Sequence, residues 1–178
     1  MLTKLGRWYN MSTLNVDTIQ DKGAAFEHAR LVQVVNTVTG TSATGTTAMP
    51  NDNTIPQNTE GDQYMTLAIT PTHASNKLLI EVHIIMACAT SGRNLQAALF
   101  KDSTAGALAS TFSYAHQAGE VHSNSIVHYM TTGGTSEITF KVRAGVDSSG
   151  TVTFNGYGGN QVHGGVASSA ITISEIRV

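Results

Sequence analysis

The chain has 178 residues, of which 40% are hydrophobic and only 12% charged, with 10 Lys+Arg against 12 Asp+Glu, one cysteine and three prolines. That is one domain, or a domain with a short arm, and it is long enough to hold a core without disulfides or a metal. A formal charge of -2 leaves no basic surface for DNA or RNA, the single Cys88 excludes an internal disulfide, and no run of about 18 apolar residues exists to span a membrane.

Residues 1–30 differ from the rest of the chain. They carry four of the ten cations (Lys4, Arg7, Lys22 and Arg30), the only tryptophan, and no strand alternation beyond Leu14, Val16 and Ile19. We read this segment as an arm that anchors the chain, through Trp8, Leu14, Val16 and Ile19, with at most a turn or two of helix at 23–30. Residues 1–10 lack the apolar core and cleavage site of a secretory signal, and Met11-Ser-Thr reads as a second start.

From residue 31 on, apolar and polar residues alternate with period two, the pattern of half-buried antiparallel strands. Strands are expected at 31–38, 64–70, 78–89, 94–101, 107–114, 125–131, 137–144, 151–157 and 170–178. In 78–89, Leu78, Ile80, Val82, Ile84, Met86 and Cys88 form one apolar face. The other face, with Leu79, His83 and Ile85, is too apolar for plain solvent and is expected to be covered by another part of the protein. In 137–144, Ile138, Phe140, Val142 and Ala144 point inward, and in 151–157 Val152 and Phe154 do so, with Thr153, Asn155 and Tyr157 outward. In 170–178 the apolar phase changes after Ile173, which predicts a bulge near Ser174–Glu175. Thr, Ser and Gly number 24, 15 and 17 and fit strands separated by turns. The fold class is therefore all-β, an antiparallel β-sandwich of eight to nine strands with jelly-roll topology.

Chemistry is sparse. The seven histidines include no H-E-x-x-H, and His116, His122 and His128 are six apart on different elements, so no metal site and no cofactor are expected. No G-x-S-x-G elbow is present. The carboxylates Asp52, Glu60, Asp62 and Glu120 are read as turn-forming groups rather than a glycosidase pair, so the chain is not expected to be an enzyme. The glycine-rich run from Asn155 to Gly165 follows a strand but precedes no helix that would hold a phosphate. It reads as an apical loop, on which Asn155, Tyr157, Asn160 and His163 combine an aromatic face with short hydrogen-bonding groups suited to a receptor contact.

The stretches TIPQNTEGDQY (Thr54 to Tyr64), LAITP (Leu67 to Pro71), NKLLI (Asn76 to Ile80), ALFKD (Ala98 to Asp102), TFKVRAG (Thr139 to Gly145), TFNG (Thr153 to Gly156) and ITISEI (Ile171 to Ile176) resemble a recurring pattern in bacteriophage and prophage virion proteins of tail-fibre type. The run MSTLNVDTIQ (Met11 to Gln20) is similar to the opening of short phage fibre proteins. The resemblance implies a virion structural protein. It would be a homotrimer of jelly-roll heads similar to the tumour-necrosis-factor and complement-head folds, with residues 1–30 anchoring it to other phage virion proteins and residues 31–178 forming the head. The expected role is attachment of the virion to a host surface glycan or protein, with Leu79, His83 and Ile85 at the trimer interface and neither nucleic acid nor membrane insertion involved. The alternatives are a capsid decoration or head-fibre protein and a carbohydrate-binding module.

Overall fold

The computed structural model describes residues 30–178 and, before them, the backbone of one short ladder, Gln20–Asp21 (β1) with Ala24–Ala25 (β2). The proposed anchor residues Trp8, Leu14, Val16 and Ile19 lie outside the described residues, as does most of 23–30.

Alternation becomes strand almost wherever it occurs. The remaining strands are β3 (Arg30–Thr39), β4 (Ala43–Gly45), β5 (Asp62–Ile69), β6 (Lys77–Cys88), β7 (Arg93–Lys101), β8 (Ala109–Ala115), β9 (Val121–Thr131), β10 (Ile138–Val146), β11 (Val152–Phe154), β12 (Gly156–Tyr157), β13 (Asn160–Gln161) and β14 (Ser169–Arg177). Eight of these, β3, β5 to β10 and β14, have seven residues or more. Among the described residues the one helical element is a 3₁₀ turn at His163–Gly165, and no helix is long and apolar enough to cross a membrane.

Two antiparallel sheets face each other as a β-sandwich of jelly-roll kind. One has the order β5-β10-β7-β8. The other is built on the twelve-residue strand β6, which β9 follows along one edge from Lys77 to Ala87. The opposite edge of β6 pairs β14 over Lys77 to His83 and β11 over Met86 to Cys88, with β3 beyond β14 and β4 beyond β11. The core lies between the sheets. Leu78, Ile80, Val82, Ile84, Met86 and Cys88 of β6, with Ile171 and Ile173 of β14, meet Met65, Ile69, Leu95, Leu99, Phe140 and Val142 from the other sheet, all buried. Each large apolar side chain placed there contributes about 1.5–3 kcal/mol relative to exposure.

Three local departures from simple alternation have physical causes. Strand β7 is buried on both faces because the connection from β4 to β5 crosses its outer side: Met49 packs on Ala98 and Phe100, and the Gln96 side-chain amide donates to the Met49 carbonyl at 2.6 Å. In β5 the register against β10 slips between Met65 and Gln63. Tyr64 is thereby left unpaired, as in a bulge, and its ring stacks on Phe154 with centroids 4.8 Å apart. The expected bulge near Ser174–Glu175 is in the partner strand instead. Glu175 pairs with Gln33 and Ile176 with Leu31, so the extra residue is Val32 of β3. Strand β14 keeps its phase throughout, and the charged Glu175 is fully buried in line with Ile171 and Ile173.

The outward assignment of Thr153 and Asn155 is also corrected. Both are buried: Thr153 lies under the β12–β13 hairpin, whose Gly159 N–H donates to its hydroxyl, and at Asn155 the backbone turns into the gap between the ends of β11 and β14.

Candidate functional site

The glycine-rich run is a hairpin rather than an open loop. Tyr157 pairs with Asn160 across Gly158–Gly159, both of which have positive φ, +56° and +81°, as a two-residue type I′ connection requires. Asn155, expected on its surface, is a buried pin. Its N–H donates to the Ile85 carbonyl at 2.9 Å, its side-chain Nδ2 donates to the Thr39 carbonyl at 2.6 Å, and its side-chain Oδ1 accepts the Ser169 hydroxyl at 2.6 Å. The Ser169 oxygen in turn accepts the Ile85 N–H at 2.9 Å. These bonds satisfy the backbone of β6 where β14 has ended and β11 has not begun. Asn155 therefore positions the hairpin and touches nothing outside the protein.

Tyr157, Asn160 and His163 are exposed. Tyr157 lines a depression of about 440 Å³ whose other walls are His116, Gln117, Ala118, Gly119 and Glu120. The turn before β9 is tied down by its own groups. The Gly119 N–H donates to the Cys88 carbonyl at 2.6 Å, and Glu120 Oε2 accepts the N–H groups of His116 at 2.7 Å and Gln117 at 3.2 Å. The N–H groups of Gln117 and His116 hold the Glu120 carboxyl below the usual range against a small opposing effect of burial, helped by His122 and His116. Gly119 has φ +81°, and a Cβ there would lie 2.0 Å from Tyr157 Cε2. The bare backbone is what lets the ring lie on it.

The second surface is the outer face of the larger sheet. Its register sets three rows of four residues across β3, β14, β6 and β9: Val38–Ala170–His83–Ser125, Asn36–Thr172–Glu81–Val127, and Val34–Ser174–Leu79–Tyr129. Leu79 and Ile85 are half-buried and His83 is exposed, so the three residues expected at a covered face share one side of β6. Glu81 is the one formal charge in the three rows. Val34, Val38, Val127 and Tyr129 are exposed, Val127 at 64%, and a shallow depression of about 340 Å³ lies around His83, Glu81, Ser125 and Thr172. Exposed apolar side chains thus line the two edges of this face, on β3 and β9, with Ala170, Leu79 and polar side chains between them.

Among the described residues no group of three or more His, Cys, Asp or Glu is placed to hold a metal. The carboxylates considered for catalysis are all engaged with backbone N–H groups. Asp52 accepts from Thr54 N–H at 2.8 Å, Glu60 from Gln57 N–H at 2.8 Å and Asp62 from Thr47 N–H at 2.9 Å. Each shapes a turn.

Sequence reasoning missed Phe112, Tyr114 and His116. They share the outward phase of β8 and its continuation, while Thr111, Ser113 and Ala115 take the inward one. Nothing in the alternation marks them, because Thr and Ser at the intervening positions read as the solvent face.

The family model for the Pgp3 C-terminal domain matches residues 34–178. No curated protein matches the sequence. Among solved structures, the chain is similar to the EclA C-terminal domain, described as a sugar-binding protein, at 13% identity and TM-score 0.37, covering 85% of this chain and 98% of that one. It is similar to a chain of the T13 infectious bursal disease virus particle at 13% identity and TM-score 0.38, covering 90% of this chain and 42% of that one. For the Gx strain of that virus the values are 12% and 0.35, with 90% and 44% covered. The chain thus spans less than half the length of these viral chains.

Proposed function

The chain belongs to the Pgp3 C-terminal domain family, and from that premise we propose that it is a virion-type structural and binding protein, not an enzyme, whose head is a homotrimer. In this reading residues 31–178 form the head, residues 1–30 join it to other proteins of a bacteriophage particle, and the apical end meets the host surface. The observation that carries the trimer is the outer face of the larger sheet, where exposed valines and Tyr129 flank Leu79 and His83 in three rows with a single formal charge. Exposed valine and tyrosine side chains with few charges suit a subunit interface, whose centre is depleted of charged residues. A cyclic trimer would cover the face and leave the hairpin of β12 and β13 free.

Sedimentation of the full chain tests the self-association. A trimer at micromolar concentration is expected, and a monomer there overturns the reading. Imaging particles with and without residues 1–30 of the chain tests the attachment, with loss of density expected on deletion.

A further inference from the structure

Strand β8 lies at the edge of the smaller sheet and presents Phe112 at 68% exposure, with Tyr114 two residues on in the same phase. The Tyr114 ring meets His116 edge to face, with centroids 4.8 Å apart. His116 is also a wall of the cavity that Tyr157 closes. Aromatic row and cavity are therefore one continuous feature, about 13 Å long from position 112 to 116 at strand rise, with Tyr157 beyond.

Its chemistry is specific. The row offers flat apolar faces, and the cavity offers polar groups: the His116 ring, the Gln117 amide and the Glu120 carboxylate. Glu120 Oε2 is occupied by two backbone donors, while Oε1 is 3.9 Å from His122 Nε2, too far for a hydrogen bond, and so keeps lone pairs for a hydroxyl. That carboxylate is the one fixed charge among the cavity walls, so an anionic ligand is repelled. A ligand with apolar ring faces, several hydroxyl donors and no negative charge fits all of these features.

We propose that Phe112, Tyr114, His116, Glu120 and Tyr157 form a cleft for an uncharged oligosaccharide, whose ring faces stack along the aromatic row while its hydroxyls donate to Glu120. This rests on the reading of the chain as an attachment head and names the class of surface ligand it takes. It places recognition on β8 and the turn before β9, with Tyr157 as the only contribution from the apical hairpin.

The test is titration calorimetry of the full chain with triacetylchitotriose, mannotriose and lactose as neutral probes and a heparin-derived tetrasaccharide as the acidic one. Binding of at least one neutral probe is expected, weakened about tenfold in Tyr114→Ala and in Tyr157→Ala by loss of apolar contact. Both rings are exposed, so neither variant should affect folding. No binding of any neutral probe tighter than about 10 mM, equal binding by wild type and both variants, or preference for the acidic probe overturns the proposal. Sedimentation of the same samples separates the two readings. A trimer that binds none of the sugars overturns the cleft alone, and a monomer that binds them through Tyr114 and Tyr157 overturns the trimeric head while supporting the cleft.

Discussion

Asn76 donates its side-chain N–H to Glu175 Oε1 at 2.6 Å, and both residues are buried. The same carboxylate accepts Gln33 at 2.6 Å, the Thr72 N–H at 2.8 Å and the Thr72 hydroxyl at 2.9 Å. One charge thereby fastens the end of β14 to β3 and to the turn between β5 and β6. Burial pushes the carboxyl up, but the donors from Asn76, Gln33 and Thr72 outweigh it and bring it from 4.5 to about 2. Because the folded value is depressed, the stabilisation is complete above about pH 4.5 and is lost as pH falls toward 2. A shift of this size corresponds to about 3 kcal/mol. Urea unfolding at pH 7 and pH 3 should show more than half of that loss in the wild type. Glu175→Gln, which sets an amide against donors, should cost about 1–3 kcal/mol at pH 7 and flatten the acid dependence.

Tyr64 carries a different kind of burden. Its ring stacks on Phe154, but its hydroxyl is buried without a hydrogen-bond partner, and burial together with the nearby Asp62 pushes its pKa well up. Tyr64→Phe keeps the stack and removes the unpaired group. It should leave unfolding stability unchanged or raise it by about 1 kcal/mol, whereas Tyr64→Ala should lower it by about 3–5 kcal/mol through the cavity it leaves. Denaturant midpoints of the two variants check both signs.

Much of this architecture was legible because a half-buried strand must alternate. The inward sets of β6 and β10 follow from Leu78 to Cys88 and from Ile138 to Ala144 alone. The misread positions are those where a second layer or a tertiary bond intervenes. Nothing local marks Gln96 and Phe100 as covered by Met49, which is nearly fifty residues earlier. Asn155 looks like a surface turn residue, and only the gap between β11 and β14 makes it a buried pin. Glu175 breaks the apolar phase of β14 and so imitates a bulge, because its partners Gln33, Thr72 and Asn76 are remote in sequence. The two candidate surfaces were half visible. Leu79 and Ile85 stood out as excess apolar residues on one side of a strand, but the aromatic row of β8 was hidden by the usual assumption that Phe and Tyr face inward.

In the trimer proposed above, the rows across the larger sheet would make assembly sensitive to charge. Val127→Asp introduces a carboxylate beside Glu81, its register partner, and in that trimer would set it against a neighbouring subunit. The side chain is exposed in the single chain, so folding should be retained. Sedimentation should show trimer converted to monomer. Val166→Asp, at 82% exposure and outside the three rows, should remain trimeric and so exclude a general effect of added charge.

Gly119 joins the two halves of the apical region. At φ +81° an alanine costs about 1–2 kcal/mol of backbone strain, and its Cβ would overlap the Tyr157 ring. The ring, being exposed on its far side, can swing away. The turn itself is held by the Gly119 N–H on the Cys88 carbonyl and by Glu120 on His116 and Gln117, and none of these bonds uses the Tyr157 side chain. Gly119→Ala should therefore lower stability only by that small amount while displacing Tyr157 from the cavity. Chemical shifts of the Tyr157 ring protons report the displacement directly. A shift confined to Tyr157 and residues 116–120, with the β6 and β9 amides unmoved, is the expected pattern, and a change spreading into those strands would show that the ring holds the turn rather than resting on it.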